Sequence, residues 1–344
     1  MADEGRAGAL RRGPTISEVA SRAGVDRAVV SRILNDDPRL RIKPSTRERV
    51  LAVVAELGYQ PNAAARSLRT ARTRTIALLV PDFENPAYGQ IIKGAETAAT
   101  KAESALLTAS MELGEESFEH YAKQLGNGRV DGLLLAGGGI SGTREEHLDR
   151  LGPPWLCVNR TGPGKRRYVV LDDERATEVA VAHLLELGHT DVAFLSGPSD
   201  SDTAERRRLG YIAAMNNAGL DSGFVAHGDY TAAGGAAGMQ QILSAKRRHT
   251  AVLVANVASA VGALYAAREA GVEVPRDLSV ISIHDLSIAA FIDPPLTTVR
   301  MSLTGLGARA VELLLTRPRN EEIREVLQQP IDLIVRKSTA PPGR

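Results

Sequence analysis

Apolar residues among the first sixty positions recur at helical spacing. Ile16, Val19, Ala20 and Ala23 share one face of a helix opened by Thr15-Ile16-Ser17-Glu18. That stretch reads as a capping box, the Thr15 hydroxyl accepting from the Glu18 amide while Glu18 reaches back. Gly24 offers the open backbone of a tight turn, and Asp26 is a good N-cap for a second helix over 27–34 that turns Val30, Ile33 and Leu34 inward. Asn35-Asp36-Asp37-Pro38 stops it. Ser45-Thr46-Arg47-Glu48 predicts another capping box, for a third helix through Val50, Val54 and Leu57 to Gly58.

Beyond Ile76 the pattern changes. Short apolar runs at 76–80, 105–108, 132–135, 155–158, 168–171, 192–195, 251–254 and 278–283 predict strands. Amphipathic stretches between them, including 89–101, 174–187, 204–218 and 258–270, predict helices. Such alternation argues for parallel sheets covered by helices on both faces, and the length of this region suggests two lobes. The fold class expected is therefore an all-α headpiece followed by an α/β body.

Between these regions lies YQPNAAARSLRTARTRT, a turn signal, an alanine-rich segment and a basic tether. About seven residues here favour helix, fewer than the ~12–15 an isolated helix needs in water. Asn62 can cap it and Ala63 to Ala65 keep its propensity high, so modest outside contact suffices to fold it.

Charge sharpens the division. Residues 1–74 carry fifteen Lys/Arg against eight Asp/Glu, and the remainder carries a net charge of −6. A basic unit on an acidic body is the footprint of a nucleic-acid binder, although a solvated basic face is the plainer alternative. Two short helices joined by a glycine turn and closed by a third make a helix-turn-helix, whose second helix enters the major groove. Arg27, Ala28, Ser31 and Arg32 would face outward from it, and arginine matches guanine edges best.

The single cysteine, Cys157, cannot form an intramolecular disulfide, no signal-like apolar stretch opens the chain, and no run approaches a membrane span. A cytoplasmic location with no membrane partner follows. Histidines are scattered without metal-ligand spacing and there is no Gly-x-Ser-x-Gly elbow, so neither metal, cofactor nor enzyme activity is expected. The glycine run from Gly137 to Gly142 lacks the Lys-Ser/Thr of a phosphate loop and reads as a cleft loop. His189 reads as packing, and the Pro341-Pro342-Gly343 end as frayed.

TISEVASRAGVDRAVVSRILN, TRERVLAVVAELGYQPNAAARSL and the C-terminal LIVRKSTAPP resemble the lactose/galactose-repressor family of bacterial transcription regulators over nearly the whole chain from Thr15. The resemblance implies a disordered tail at 1–13, a headpiece at 14–60, a hinge helix and linker at 61–74, and a periplasmic-binding-protein-like body at 75–340. One lobe would span about 75–170 and 300–325, the other about 171–299 and 326–340, the chain crossing between them three times. It implies contacts to double-stranded operator DNA from Thr15, Asp26, Arg27, Ala28, Ser31, Arg32 and Asn35, and from Asn62, Ala65 and Leu68 in the hinge. Leu68 matches the leucine that wedges between base steps in the minor groove. A homodimer follows, since two hinges meet at the centre of a pseudo-palindrome.

For the body, the resemblance implies a small-molecule effector (a sugar, nucleoside or small anionic metabolite) held by Tyr88, Asn159, Arg207, Tyr230, Asn256, His284 and Met301. Arg206 and Arg208 leave the register of the arginine open; the Gly210-Tyr211 pair favours Arg207. The chain departs from the family pattern at Val257, His284 and Met301. Imidazole at 284 replaces an aspartate that accepts from sugar hydroxyls. The expectation is a ligand less hydroxyl-rich than a hexose, or an anion drawn by Arg207 with His284; a cleft with weakened response is the alternative. In the headpiece, Asp26 and Val29 each replace a residue able to touch phosphate. The function expected is a ligand-responsive repressor. The runner-up is a cytoplasmic binding protein or enzyme on the same body fold.

Overall fold

The computed structural model describes residues 13–60, 72–111, 115–126, 128–136, 142–161, 164 and 166–343. The expected tail up to residue 12, the hinge with Asn62, Ala65 and Leu68, and the glycine run at 137–141 lie outside the described residues. The chain divides into two compact units, 1–73 and 74–344.

In the first unit, α1 (Ile16–Ala23) opens with the reciprocal Thr15–Glu18 capping box and ends on Gly24 in the left-handed conformation, φ 60°. Asp26 caps α2 (Arg27–Leu34) through the Ala28 amide at 2.7 Å. α3 (Pro44–Leu57) corrects the expected second capping box. It begins one residue earlier, on Pro44, and its N-cap Lys43 makes no side-chain bond. Proline at the first helical position is already set to the helical φ, so Ser45 lies inside the helix where its hydroxyl cannot cap. Val19, Ala20, Ala23, Val30, Ile33 and Val50 form the buried centre. The Arg49 Nε donates to the Ala23 carbonyl at 2.9 Å and ties α3 to α1.

The second unit contains two six-stranded sheets. Lobe 1 uses β1 (Thr75–Val80), β2 (Ala105–Ser110), β3 (Gly132–Leu135), β4 (Trp155–Val158), β5 (Arg167–Val170) and, much later, β11 (Ile323–Val326), in the order β11-β5-β4-β3-β1-β2. Its helices are α4 (Pro86–Lys101), α5 (Glu115–Leu125), α6 (Gly142–Leu151) and α11 (Leu303–Thr316). Lobe 2 uses β6 (Val192–Ser196), β7 (Val225–His227), β8 (Ala251–Val254), β9 (Ser279–Ile283), β10 (Thr297–Arg300) and β12 (Asp332–Ile334), in the order β12-β10-β9-β8-β6-β7. It is covered by α7 (Asp173–Glu186), α8 (Asp202–Asn217), α9 (Ala232–Leu243) and α10 (Val257–Glu269).

The chain therefore passes between lobes after β5, after β10 and after β11. Each pairing is parallel except β12 on β10, an antiparallel edge that the expected wholly parallel sheets did not include. Alternation along the strands serves both faces. Ile76, Leu78 and Val80 of β1 pack toward α4 and α11, whereas Ala77 and Leu79 join Phe118 of α5 and Leu148 of α6 on the other side.

Some elements left little trace in the hydrophobic pattern. β7, β10, β11 and β12 are three or four residues long, and α9 is glycine-rich (AAGGAAGMQQIL). That helix forms because its glycines admit the backbone of α10: a Cβ on Gly235 would lie 2.0 Å from the Ser259 carbonyl oxygen, and one on Gly262 would lie 1.7 Å from that of Ala232. The same device joins α4 to α11 in lobe 1. Cβ atoms on Gly94 and Gly307 would lie 1.9 Å from the Thr304 oxygen and 2.0 Å from the Ile91 oxygen. The C-terminal segment is held rather than loose up to Ala340, whose N–H donates to the Ser279 hydroxyl at 3.0 Å. His189 meets Thr250, Ser279 and the Ala340 carbonyl through its two ring nitrogens, a packing role as expected.

Gly307→Ala gains about 1 kcal/mol of helix propensity but forces the backbones of α4 and α11 apart, an overpacking cost of about 1–3 kcal/mol. The expected net result is a lower urea midpoint for the body. An unchanged or higher midpoint would show that the two helices separate freely.

Candidate ligand cleft and nucleic-acid interface

Open α/β sheets bind ligands beyond the carboxyl ends of their strands. In the body those ends face one another across a cavity of about 290 Å³. From lobe 1 it is lined by Asp82, Asn85 and Tyr88 after β1, Ala136 after β3, and Asn159 and Arg160 after β4. From lobe 2 come Asp200 to Thr203 and Arg207, Asp229 and Tyr230, Asn256 and His284. Six of the seven expected cleft residues are thus brought together. Met301 is not. It is buried beside Gln90, Asp285 and Arg300 in a separate depression, because the chain turns toward α11 directly after β10.

Asn159, Tyr230 and His284 have φ of 61°, 70° and 71°, the left-handed region that side chains other than glycine rarely occupy. Such backbone costs on the order of 1–3 kcal/mol per residue and persists where surrounding structure overdetermines it. All three line the cleft.

The floor of lobe 2 is built on Asp173, a fully buried carboxylate at the start of α7. Burial alone would push its pKa up, but Arg207 and Arg206 together hold it below the usual carboxylate range. Arg207, itself only 2% exposed, donates Nε to Asp173 Oδ1 at 2.8 Å, Nη1 to the Ala255 carbonyl at 2.5 Å, and Nη2 to His284 Nε2 at 2.8 Å. Arg206 reaches the other oxygen of Asp173 at 2.7 Å and also pairs with Asp202. Arg208 turns away to Glu205. Of the three consecutive arginines, Arg207 lines the cleft, and each of its three nitrogens already has an acceptor in the protein.

Guanidinium only donates, so His284 Nε2 accepts and the imidazole is neutral, with its proton on Nδ1. Burial, reinforced by the Arg207 charge, lowers its pKa to about 3. Neither side chain matches the expectation of an anion-attracting pair: Arg207 is neutralised by Asp173, and His284 carries no charge.

Other polar groups stitch the cleft together. The Asn256 carbonyl caps α10 through Ser259 N at 2.9 Å, and its amide donates to the Tyr230 carbonyl at 2.9 Å. Asp202 accepts from Thr161 N at 3.0 Å and from Thr161 Oγ1 at 2.7 Å, and Thr203 Oγ1 donates to the Asn159 carbonyl at 2.8 Å. These bonds join lobe 2 to lobe 1. Burial raises the phenol pKa of both Tyr88 and Tyr230, which stay neutral. Sequence reading missed Asp173, Asp202 and Asp229. Their signal was positional, since each lies at or just before the start of a helix that follows a strand.

In the headpiece, Arg27 and Ala28 are exposed on the outer face of α2, and Ser31 is half-buried. Arg32 is exposed but its Nε donates to Asp37 at 2.9 Å. Asn35 turns back to the Ser31 carbonyl at 2.6 Å, and the Thr15 side chain is occupied in the α1 capping box. Val29 packs against the headpiece core.

A helix-turn-helix unit preceding a two-lobed body with a ligand-sized cleft defines a ligand-controlled transcription regulator. Comparison with known proteins agrees. Residues 15–62 match the model for bacterial regulatory proteins of the lacI family, and residues 181–339 match a periplasmic binding protein-like domain. The chain is 30% identical to catabolite control protein A of Priestia megaterium over 94% of its own length and 99% of that protein's. It is 31% identical to the ribose operon repressor of Escherichia coli (strain K12), covering 95% and 99% respectively. Among solved structures it matches the lac repressor dimer bound to operator and the anti-inducer ONPF with a TM-score of 0.86 at 28% identity, over 96% of this chain and 100% of that one. The chain belongs to the lacI family of bacterial regulatory proteins.

The buried neutral imidazole has a measurable signature. An unfolded histidine takes its proton near pH 6.5, whereas His284 resists protonation down to about 3. Its contribution to stability is complete above pH 6.5 and is lost as pH falls toward 3, by up to about 1.4 kcal/mol per pH unit. His284→Gln retains an acceptor for Arg207 and should show a shallower decline of the urea midpoint between pH 7 and 5. Equal slopes would mean that the ring is not held neutral.

Proposed function

We propose that this protein is a repressor that binds a pseudo-palindromic DNA operator as a homodimer and is controlled by a small molecule in the inter-lobe cleft. The observation that carries the reading is the pairing, in one chain, of a helix-turn-helix unit with a cleft whose two walls belong to different lobes. It acts in the cytoplasm, on chromosomal DNA, and is not an enzyme. In this reading the effector is a small molecule of sugar or nucleoside size. The cleft residues are Tyr88, Asn159, Arg207, Tyr230, Asn256 and His284, with Arg207 acting as a brace for His284.

In this reading Arg27 and Ala28 read base edges, with Ser31 beside them, and Arg32 is aimed by Asp37. Asp26 sets the start of the recognition helix and Asn35 its end, while Thr15 caps the helix before it. Asn62, Ala65 and Leu68 supply the hinge contact in the minor groove. The effector alters the angle between lobes and so shifts operator affinity, and by linkage the operator shifts effector affinity by the same factor.

Selection of genomic fragments by the purified protein should return a shared palindrome. Motif-free binding that weakens steeply with salt would leave only a basic unit. With the operator in hand, Arg27→Ala should cost about 1–3 kcal/mol and relax preference at one position of each half-site. An equal loss on unrelated DNA would reassign Arg27 to phosphate. Leu68→Ala should weaken operator binding while the body melts unchanged; undiminished affinity would remove the wedge.

A further inference from the structure

Two polar atoms of the cleft have a definite chemistry. Asn159 Oδ1 and His284 Nδ1 are buried and have no hydrogen-bond partner among the described residues. Their residues are 8% and 2% exposed, and both line the cavity. The first is an acceptor. The second is a donor, because Arg207 occupies the other ring nitrogen. A ligand that satisfies both must offer at least one donor and one acceptor.

Charge narrows the class. Asp173, Asp202, Arg206 and Arg207 form a closed set of two carboxylates and two guanidiniums, which cancel. Setting that set aside, the lining holds Asp82, Asp200 and Asp229 against Arg160. None of those three carboxylates forms an ion pair with a described residue. Hydrogen bonds from Thr231 keep Asp229 below the usual carboxylate range even though its partial burial pushes the other way. The aromatic side chains of Tyr88 and Tyr230 line the same space, and ring faces attract cations. An anion would enter a lining whose carboxylates outnumber its one remaining guanidinium, Arg160, by three to one, with the Arg207 charge already balanced by Asp173.

Resting on the reading of this cleft as the effector site, we propose that the effector is a compact cationic amine that also carries a hydroxyl or carbonyl oxygen. Its ammonium group lies toward Asp82, Asp200 and Asp229 and donates to Asn159 Oδ1. Its oxygen accepts from His284 Nδ1.

The test uses the full chain and two matched series differing in charge. One is glucosamine, glucose and glucuronate; the other is 5′-amino-5′-deoxyadenosine, adenosine and adenosine 5′-monophosphate. Calorimetric titration should show at least one amine binding about tenfold or more tighter than its neutral counterpart, with the anion of that series weakest. The preference, read as the ratio of amine to neutral affinity in each sample, should shrink at high salt and in Asp82→Asn. An anion that binds best, or failure of both amines to bind, overturns the proposal. Operator affinity measured in the same samples separates this from the repressor reading. An anion that binds best and moves operator affinity sinks only the charge assignment. An amine that binds as expected but leaves operator affinity unchanged upholds the assignment and removes ligand control.

Discussion

A single carboxylate with no access to water organises the working face of lobe 2. Asp173 sits between the guanidiniums of Arg206 and Arg207, and an uncompensated charge in that position would cost about 3–5 kcal/mol. Meeting that requirement fixes the start of α7 against α8. Through Arg207 it also fixes the end of β8 at Ala255 and the end of β9 at His284. The cleft floor is therefore built before any ligand arrives. The arginine expected to grip a ligand braces the floor instead, and recognition passes to the atoms it orients.

The same cluster extends to the other lobe. Arg206 pairs with Asp202, and Asp202 holds both the amide and the hydroxyl of Thr161. Beside it, Thr203 holds the carbonyl of Asn159, one of the three cleft residues in left-handed backbone. A ligand touching Asn159 thus touches a residue already bonded across the lobe boundary. A ligand shifts a conformational equilibrium only by its differential affinity for the two states, and bonds across that boundary are where states with different lobe angles differ.

Much of the architecture was legible because the pattern of burial is regular. The headpiece helices followed from apolar spacing and caps, and the long central strands followed from runs buried on both faces. Short edge strands such as β7 and β12 carry too few residues for a period to register. α9 was hidden because its stability comes from close backbone approach to α10, which linear propensity does not encode. The cleft was legible in position, since strand ends are predictable from strands, and Tyr88, Asn159, Arg207, Tyr230, Asn256 and His284 gather there. Its electrostatics were not. Whether Arg207 is available depends on Asp173, a residue distant in sequence and set by how α7 packs on α8. Met301 was misplaced because the resemblance does not encode how the chain turns toward α11 directly after β10.

The interlaced connectivity has a consequence for how the protein is made. Lobe 1 begins at β1, yet α11 and β11, which cover and extend its sheet, belong to the last part of the chain. The glycine contact that locks α4 to α11 joins residues on either side of the whole of lobe 2's parallel sheet. Because a chain leaves the ribosome from its N-terminus, β1 to β5 emerge and wait with one face covered by α4 alone while lobe 2 is synthesised. Lobe 2 then lacks its own edge strand β12 until after β11 has joined lobe 1. The headpiece depends on no such late arrival for its described helices, so a DNA-reading unit can be complete on a nascent chain whose sensing unit is still unfinished.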